Sequence, residues 1–143
     1  MHSKIQVVFD AAEPEKLAAF WGLALGYVPE PPPEGFASWE DFARSAGIPE
    51  SEFGEQASRI DPAGEGPRLY FQRVPEGKTA KNRVHLDIQV AGREVSDEPR
   101  RQLVSEEVER LVRAGASIAW QVDDALGSAI VMYDPEGNEF CVA

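Results

Sequence analysis

Sulfur is scarce in this chain: Cys141 is the single cysteine among 143 residues. One thiol excludes an internal disulfide and suits a reducing, cytoplasmic setting. Long apolar runs are missing too. No stretch approaches the roughly 20 residues needed to span a bilayer. Met1-His2-Ser3-Lys4 leads straight into strand-like residues without the pattern of a signal peptide. Positive charge is short, with 14 Lys and Arg against 25 Asp and Glu and a net charge of −11. Such a surface repels nucleic-acid phosphates and anionic membranes, so neither is expected as a partner, and it favours solubility. There is no glycine-rich phosphate loop, no Ser-His-Asp arrangement and no basic aromatic stripe. What remains is a chain with 43% hydrophobic residues and a mean hydropathy of −0.34, the composition of a globular domain.

The last ten residues are the most informative. Asp134-Pro135-Glu136-Gly137-Asn138 reads as a tight turn between the strands Ala129–Tyr133 and Glu139–Val142. Pro presets φ near −65°, Gly supplies positive φ, and Asp and Asn close local side-chain turns. Asp61-Pro62-Ala63-Gly64 echoes that turn, between candidate strands Ala57–Asp61 and Arg68–Val74, and Phe71-Gln72 resembles Phe140-Cys141.

The echo extends to both halves. Residues 4–9 alternate as a strand. Leu17, Phe20, Trp21 and Ala24 then fall at i, i+3, i+4 and i+7 of an amphipathic helix that Gly26 ends, and Tyr27-Val28 begins a short strand. Ser38 is an N-cap for a second helix carrying Trp39, Phe42, Ala43 and Ala46, stopped by Gly47 and Pro49. We read residues 36–56 as an insertion. Residues 75–82 form a polar linker. Arg83–Val90 alternates without a break, Glu98–Ala114 is helical with Val104, Val108, Leu111 and Val112 on one stripe, and Ser117–Val122 opens three closing strands. The order β-α-β-β-β thus occurs twice. One α+β domain over 1–143 is expected, with modules at about 1–76 and 82–143.

Three segments carry a family likeness. Phe20-Trp21 followed by Leu25-Gly26-Tyr27 is similar to an aromatic-pair helix ending in Leu-Gly. Val84-His85-Leu86-Asp87 resembles a strand opening a second module. Asp134 to Cys141 resembles a closing hairpin. Together they resemble the vicinal oxygen chelate superfamily, which includes glyoxalase I, bleomycin-resistance proteins and extradiol dioxygenases. The likeness covers nearly the whole chain apart from residues 36–56, and extends to bacterial glyoxalase-like single-domain proteins. It implies two tandem βαβββ modules forming a cup-shaped, mostly antiparallel sheet with helices outside and a ligand on the concave face. It also implies a homodimer.

The alternation agrees with such a face. Val84, Leu86, Ile88 and Val90 suit the helix side, and His85, Asp87 and Gln89 the cup. Tyr70 and Gln72 oppose Leu69 and Phe71, and Glu139 and Cys141 oppose Phe140 and Val142. The resemblance places metal ligands at Gln6, Gln72, His85 and Cys141. That set is chemically poor: glutamine oxygens are neutral, one histidine cannot make a two-His-one-carboxylate iron site, and no slot supplies a carboxylate base. We therefore expect no cofactor and no functional metal.

The expected function is binding of a small organic molecule. Gln6, Gln72, His85, Asp87 and Cys141 would line the polar face, and Tyr70 and Trp39 would supply stacking area. The rival expectation is a lyase, isomerase or dioxygenase with His85 and Asp87 as acid and base, with or without a divalent metal. Each residue also has a plainer role: His85 as a hydrogen-bonded sheet residue, Asp87 in an ion pair with Arg83 or Arg73, Cys141 as an inert buried thiol, and Trp39 as the pin of its own helix.

Overall fold

The structure is a computed structural model describing residues 2–92, 94–124 and 127–143, with Asp124 described through its backbone alone. It divides into two compact units, up to Gly77 and from Lys78 onward.

In the first unit the chain runs β1 (Gln6–Ala11), α1 (Pro14–Leu25), β2 (Val28–Pro29), α2 (Trp39–Ser45), a 3₁₀ turn at Glu50–Glu52, β3 (Gln56–Ile60) and β4 (Arg68–Arg73). Pro14 sits at the first turn of α1, where its missing N–H costs nothing. Gly26 closes the helix at φ 70°, a left-handed position that suits glycine. The expected stripe is buried: Leu17, Phe20, Trp21 and Ala24 are at most 7% exposed. It meets Phe9, which stacks on Phe71 with ring centroids 4.9 Å apart and tilts against Trp21 at 5.2 Å. β3 is locked to α1 by Arg59, buried and paired with Glu15 at 2.5 Å. Gly22 leaves room for that guanidinium, since a Cβ there would meet Arg59 Nε at 3.1 Å.

The second unit runs β5 (Asp87–Ile88), α3 (Asp97–Arg113), β6 (Ser117–Asp124), β7 (Gly127–Tyr133) and β8 (Glu139–Val142). α3 buries Val104, Val108 and Leu111 and packs on β6, β7 and β8. Val112, placed on that stripe from the sequence, is 44% exposed.

The two sheets are copies of one topology. Their orders are β1-β4-β3-β2 and β5-β8-β7-β6. In each, the first strand pairs parallel with the last, and the remaining pairs are antiparallel. The α+β, twice-repeated βαβββ plan stands as expected. The turns repeat as well. Asp61 accepts from the backbone N–H groups of Ala63, Glu65 and Gly66, and Asp134 from those of Glu136 and Asn138. Gly64 and Gly137 take positive φ of 71° and 85°.

Two features depart from simple alternation. The expected long strand Arg83–Val90 shrinks to a two-residue ladder at Asp87–Ile88. Its partner β8 is only four residues long and pairs with it through Cys141 and Val142 alone. Single bonds from Cys141 N–H to Leu86 O and from Val90 N–H to Ala143 O extend it slightly. Val84, expected on the helix side, lies beyond that partner and is 80% exposed. In β6 the register slips between Ile118 and Trp120, so Ala119 is an extra, bulged residue. The bulge reverses the parity of the rest of the strand and turns Trp120 to the face opposite Ile118.

Candidate functional site

Pairing defines the polar face of the second sheet. Asp87 pairs with Cys141, Cys141 with Val131, and Val131 with Trp120. Directly paired residues share a face, so these four side chains form one row. Tyr133 and Glu139, a second pair, lie on the same face. At one end of the row three polar groups converge. The ligand atoms of His85, Asp87 and Cys141 all lie within 4.8 Å of one another. His85 Nε2 is 3.2 Å from Asp87 Oδ1 and 3.6 Å from Cys141 Sγ. Asp87 thus finds its partner two residues back, in the imidazole. Cys141 is buried, and burial pushes its thiol pKa up; the Asp87 carboxylate, by charge and hydrogen bond, pushes the same way against a weaker pull from Lys81. A thiol kept protonated is a hydrogen-bond donor and a poor nucleophile. His85 and Asp87 remain accessible, with side chains 36% and 54% exposed. An imidazole held by a carboxylate is an arrangement that can accept or deliver a proton.

Among the described residues, Glu139 is the most strongly held carboxylate. Its pKa falls to about 2, chiefly because the Asn82 backbone N–H donates to it at 3.0 Å, with Lys78 Nζ adding a second bond at 3.0 Å. This ties the linker to β8. It is a structural clamp rather than a proton carrier.

The polar face of the first sheet carries Gln6, Arg68, Tyr70, Ser58, Asp10 and Gln72, again by register. Its centre is an ion pair that the sequence patterns do not reveal. Arg68 Nε donates to Glu30 Oε2 at 2.9 Å, and Ser58 Oγ donates to the same oxygen at 2.8 Å. Arg68, and after it Ser58, hold the Glu30 carboxyl below its ordinary pKa. Arg68 Nη1 also donates to Gln6 Oε1 at 2.8 Å, and the guanidinium lies 5.3 Å from the Tyr70 ring. Trp39 donates its indole N–H to the Glu30 carbonyl at 2.8 Å and packs edge-on to Phe42. Gln6, Trp39 and Tyr70 are thus gathered around Arg68 and Glu30. Trp39 takes its plainer role as the pin of α2, with 41% of its surface exposed. Gln72 stands apart, donating to Asp10 at 2.8 Å. Arg68 and Glu30 are 38 residues apart, and no local spacing announces them.

The metal slots implied by the family likeness do not fit a divalent ion. The amide oxygen of Gln6, its one donor to a metal, already faces a guanidinium whose charge opposes a cation. Gln72 offers a neutral oxygen, and Cys141 must first lose a proton that burial retains. Within the second unit, His85, Asp87 and Cys141 are a different donor set that zinc would accept only with the thiol deprotonated.

Known proteins share this architecture. The model of the family described as Glyoxalase-like domain matches residues 6–143. No curated protein matches the chain. Among solved structures, a glyoxalase/bleomycin resistance protein/dioxygenase family enzyme from Burkholderia phytofirmans is similar at TM-score 0.62 and 14% identity, covering 96% of this chain and 94% of that one. A glyoxalase-related enzyme from Fulvimarina pelagi is similar at TM-score 0.61 and 17% identity, over 100% and 88% of the two chains. The fosfomycin resistance protein FosX from Mesorhizobium loti is similar at 0.60 and 10%, over 99% and 90%. These identities establish a shared fold and no shared chemistry. With the family model spanning all but the first five residues, and the repeated βαβββ units beneath it, the chain belongs to the glyoxalase-like domain family of the vicinal oxygen chelate superfamily.

Proposed function

We propose that this protein binds a small organic molecule against the polar face of its second sheet, without a metal ion. The observation that carries the reading is the convergence of His85, Asp87 and Cys141 within 4.8 Å at one end of that face, whose other end carries the aromatic pair Trp120 and Tyr133. A few convergent polar groups next to apolar area are the usual makings of a ligand site. Asp87 accepts hydrogen bonds, His85 donates or accepts, and the Cys141 thiol donates. The first sheet carries a polar face of its own, with Gln6, Gln72 and Tyr70, described by itself above. The protein works in the cytoplasm as a homodimer. No described helix is long and apolar enough to cross a membrane.

The His85–Asp87 pair also favours a second reading, a lyase, isomerase or dioxygenase in which the pair moves a proton on bound substrate. One set of measurements separates the two. A thermal-shift screen of a metabolite library is expected to find compounds that raise the melting temperature by mass action. That gain should vanish in Asp87→Asn and in His85→Gln. Blank results across hundreds of compounds would sink both readings. Metal analysis of protein purified without chelator is expected to find no stoichiometric ion. Stoichiometric zinc, nickel or iron that disappears in His85→Ala would replace the metal-free reading with the enzyme.

A further inference from the structure

The two units share a topology but not the side-chain volume between helix and sheet. In the first, Phe9, Phe20, Trp21 and Phe71 fill that layer. In the second, α3 carries no aromatic residue. At its C-terminal half Leu111 is fully buried, as are Met132 and Phe140 on the sheet. Nearer its start the same helix presents Arg101 and Ser105, and β7 opposes it with Ser128. The two serines are too small to fill the space, and close packing fails there. A groove of about 300 Å³ remains, floored by Val104, Val108, Ile118 and Ile130. It lies against α3, on the face of the second sheet opposite His85 and Asp87.

A cation stands at its mouth. The Arg101 side chain has no ion pair or hydrogen bond among the described residues, in a protein of net charge −11. Its neighbour Arg100 is engaged by the carbonyls of Gly92 and Val95. Asp123 faces the same side from β6 and does not pair with Arg101. Ser105 and Ser128 add hydroxyls at the rim.

We propose that this groove is a second binding site, for a small amphipathic anion. A carboxylate head would sit on Arg101, which can grip it with two parallel N–H donors, and Ser105 and Ser128 would hydrogen-bond beside it. A short aliphatic or single-ring body would cover the valine and isoleucine floor. The volume matches the lower end of ordinary ligand pockets.

The test uses octanoate as the probe, with octylamine as the charge-reversed control, in calorimetric titration and methyl-resolved NMR. Octanoate is expected to bind and to shift the methyl signals of Val104, Val108, Ile118 and Ile130. Arg101→Gln should weaken it about tenfold or more, as loss of a charge-assisted pair does. Ser128→Leu should block the groove. Ser105→Leu does the same from an exposed helix position, should the strand variant fail to fold. Absence of methyl shifts, octylamine binding as tightly as octanoate, or full affinity in Arg101→Gln would each overturn the proposal. Loss of metabolite binding in the His85 and Asp87 variants leaves these outcomes unaffected, because the two sites lie on opposite faces of one sheet.

Discussion

Glu139 shows what a single buried carboxylate contributes. Its folded-state pKa of about 2 lies below the ordinary 4.5, so the folded form binds fewer protons than the unfolded one across that interval. The stabilisation is therefore complete above about pH 4.5 and drains away as pH falls toward 2. Glu139→Gln keeps an acceptor for Asn82 but loses the charge, and is expected to lower stability by about 1–2 kcal/mol at pH 7. The difference from the native protein should narrow as pH drops to about 3, read from denaturant midpoints at both pH values. An equal difference at both would mean that the charge is immaterial. Residues of this kind were only partly legible. His85, Asp87 and Cys141 could be read because alternation and a recognisable turn fix their side of the sheet. Trp120 could not, because an extra residue at Ala119 reverses parity and nothing in the local composition signals it. Arg68 and Glu30 escaped for another reason: an ion pair between distant segments follows from tertiary register alone.

At the scale of elements, helices were easier to read than strands. The spacing of Leu17, Phe20, Trp21 and Ala24, with Pro14 ahead and Gly26 behind, defines α1 nearly to the residue. α2 was legible through its cap: Ser38 Oγ accepts from Asp41 N–H at 3.1 Å. Yet α2 buries no residue. Ser38→Ala is therefore expected to cost about 1 kcal/mol of local helix stability and to leave the global melting temperature nearly unchanged. Faster amide exchange at Phe42 and Ala46 without a shift in the cooperative transition is the expected pattern; a lowered global transition would show that α2 belongs to the folding core. β5 was over-read because a strand's length depends on its partner. The sequence of residues 83–90 permits eight alternating positions, but β8 offers four.

For the whole molecule the dominant facts are the repeated topology and the charge. With 25 acidic and 14 basic residues, self-repulsion opposes the compact state. Salt screens that repulsion within about 10 Å at 0.1 M. The melting temperature is thus expected to rise by about a few degrees between low salt and half-molar sodium chloride, beyond the loss from weakened exposed ion pairs such as Lys16–Glu13. A fall over that range would mean that the paired charges outweigh the excess. The repeat also leaves the second unit with a long outermost strand. β6 is eight residues long, ends its sheet and presents Ile118 and Trp120 at 58% and 43% exposure, which are the ingredients of fibril growth. The extra residue at Ala119 breaks the even spacing of its free amides and carbonyls early along its length. A foreign strand seeking to add to the row finds no continuous template, and the irregularity that hid Trp120 from view also guards the chain against stacking on its own kind.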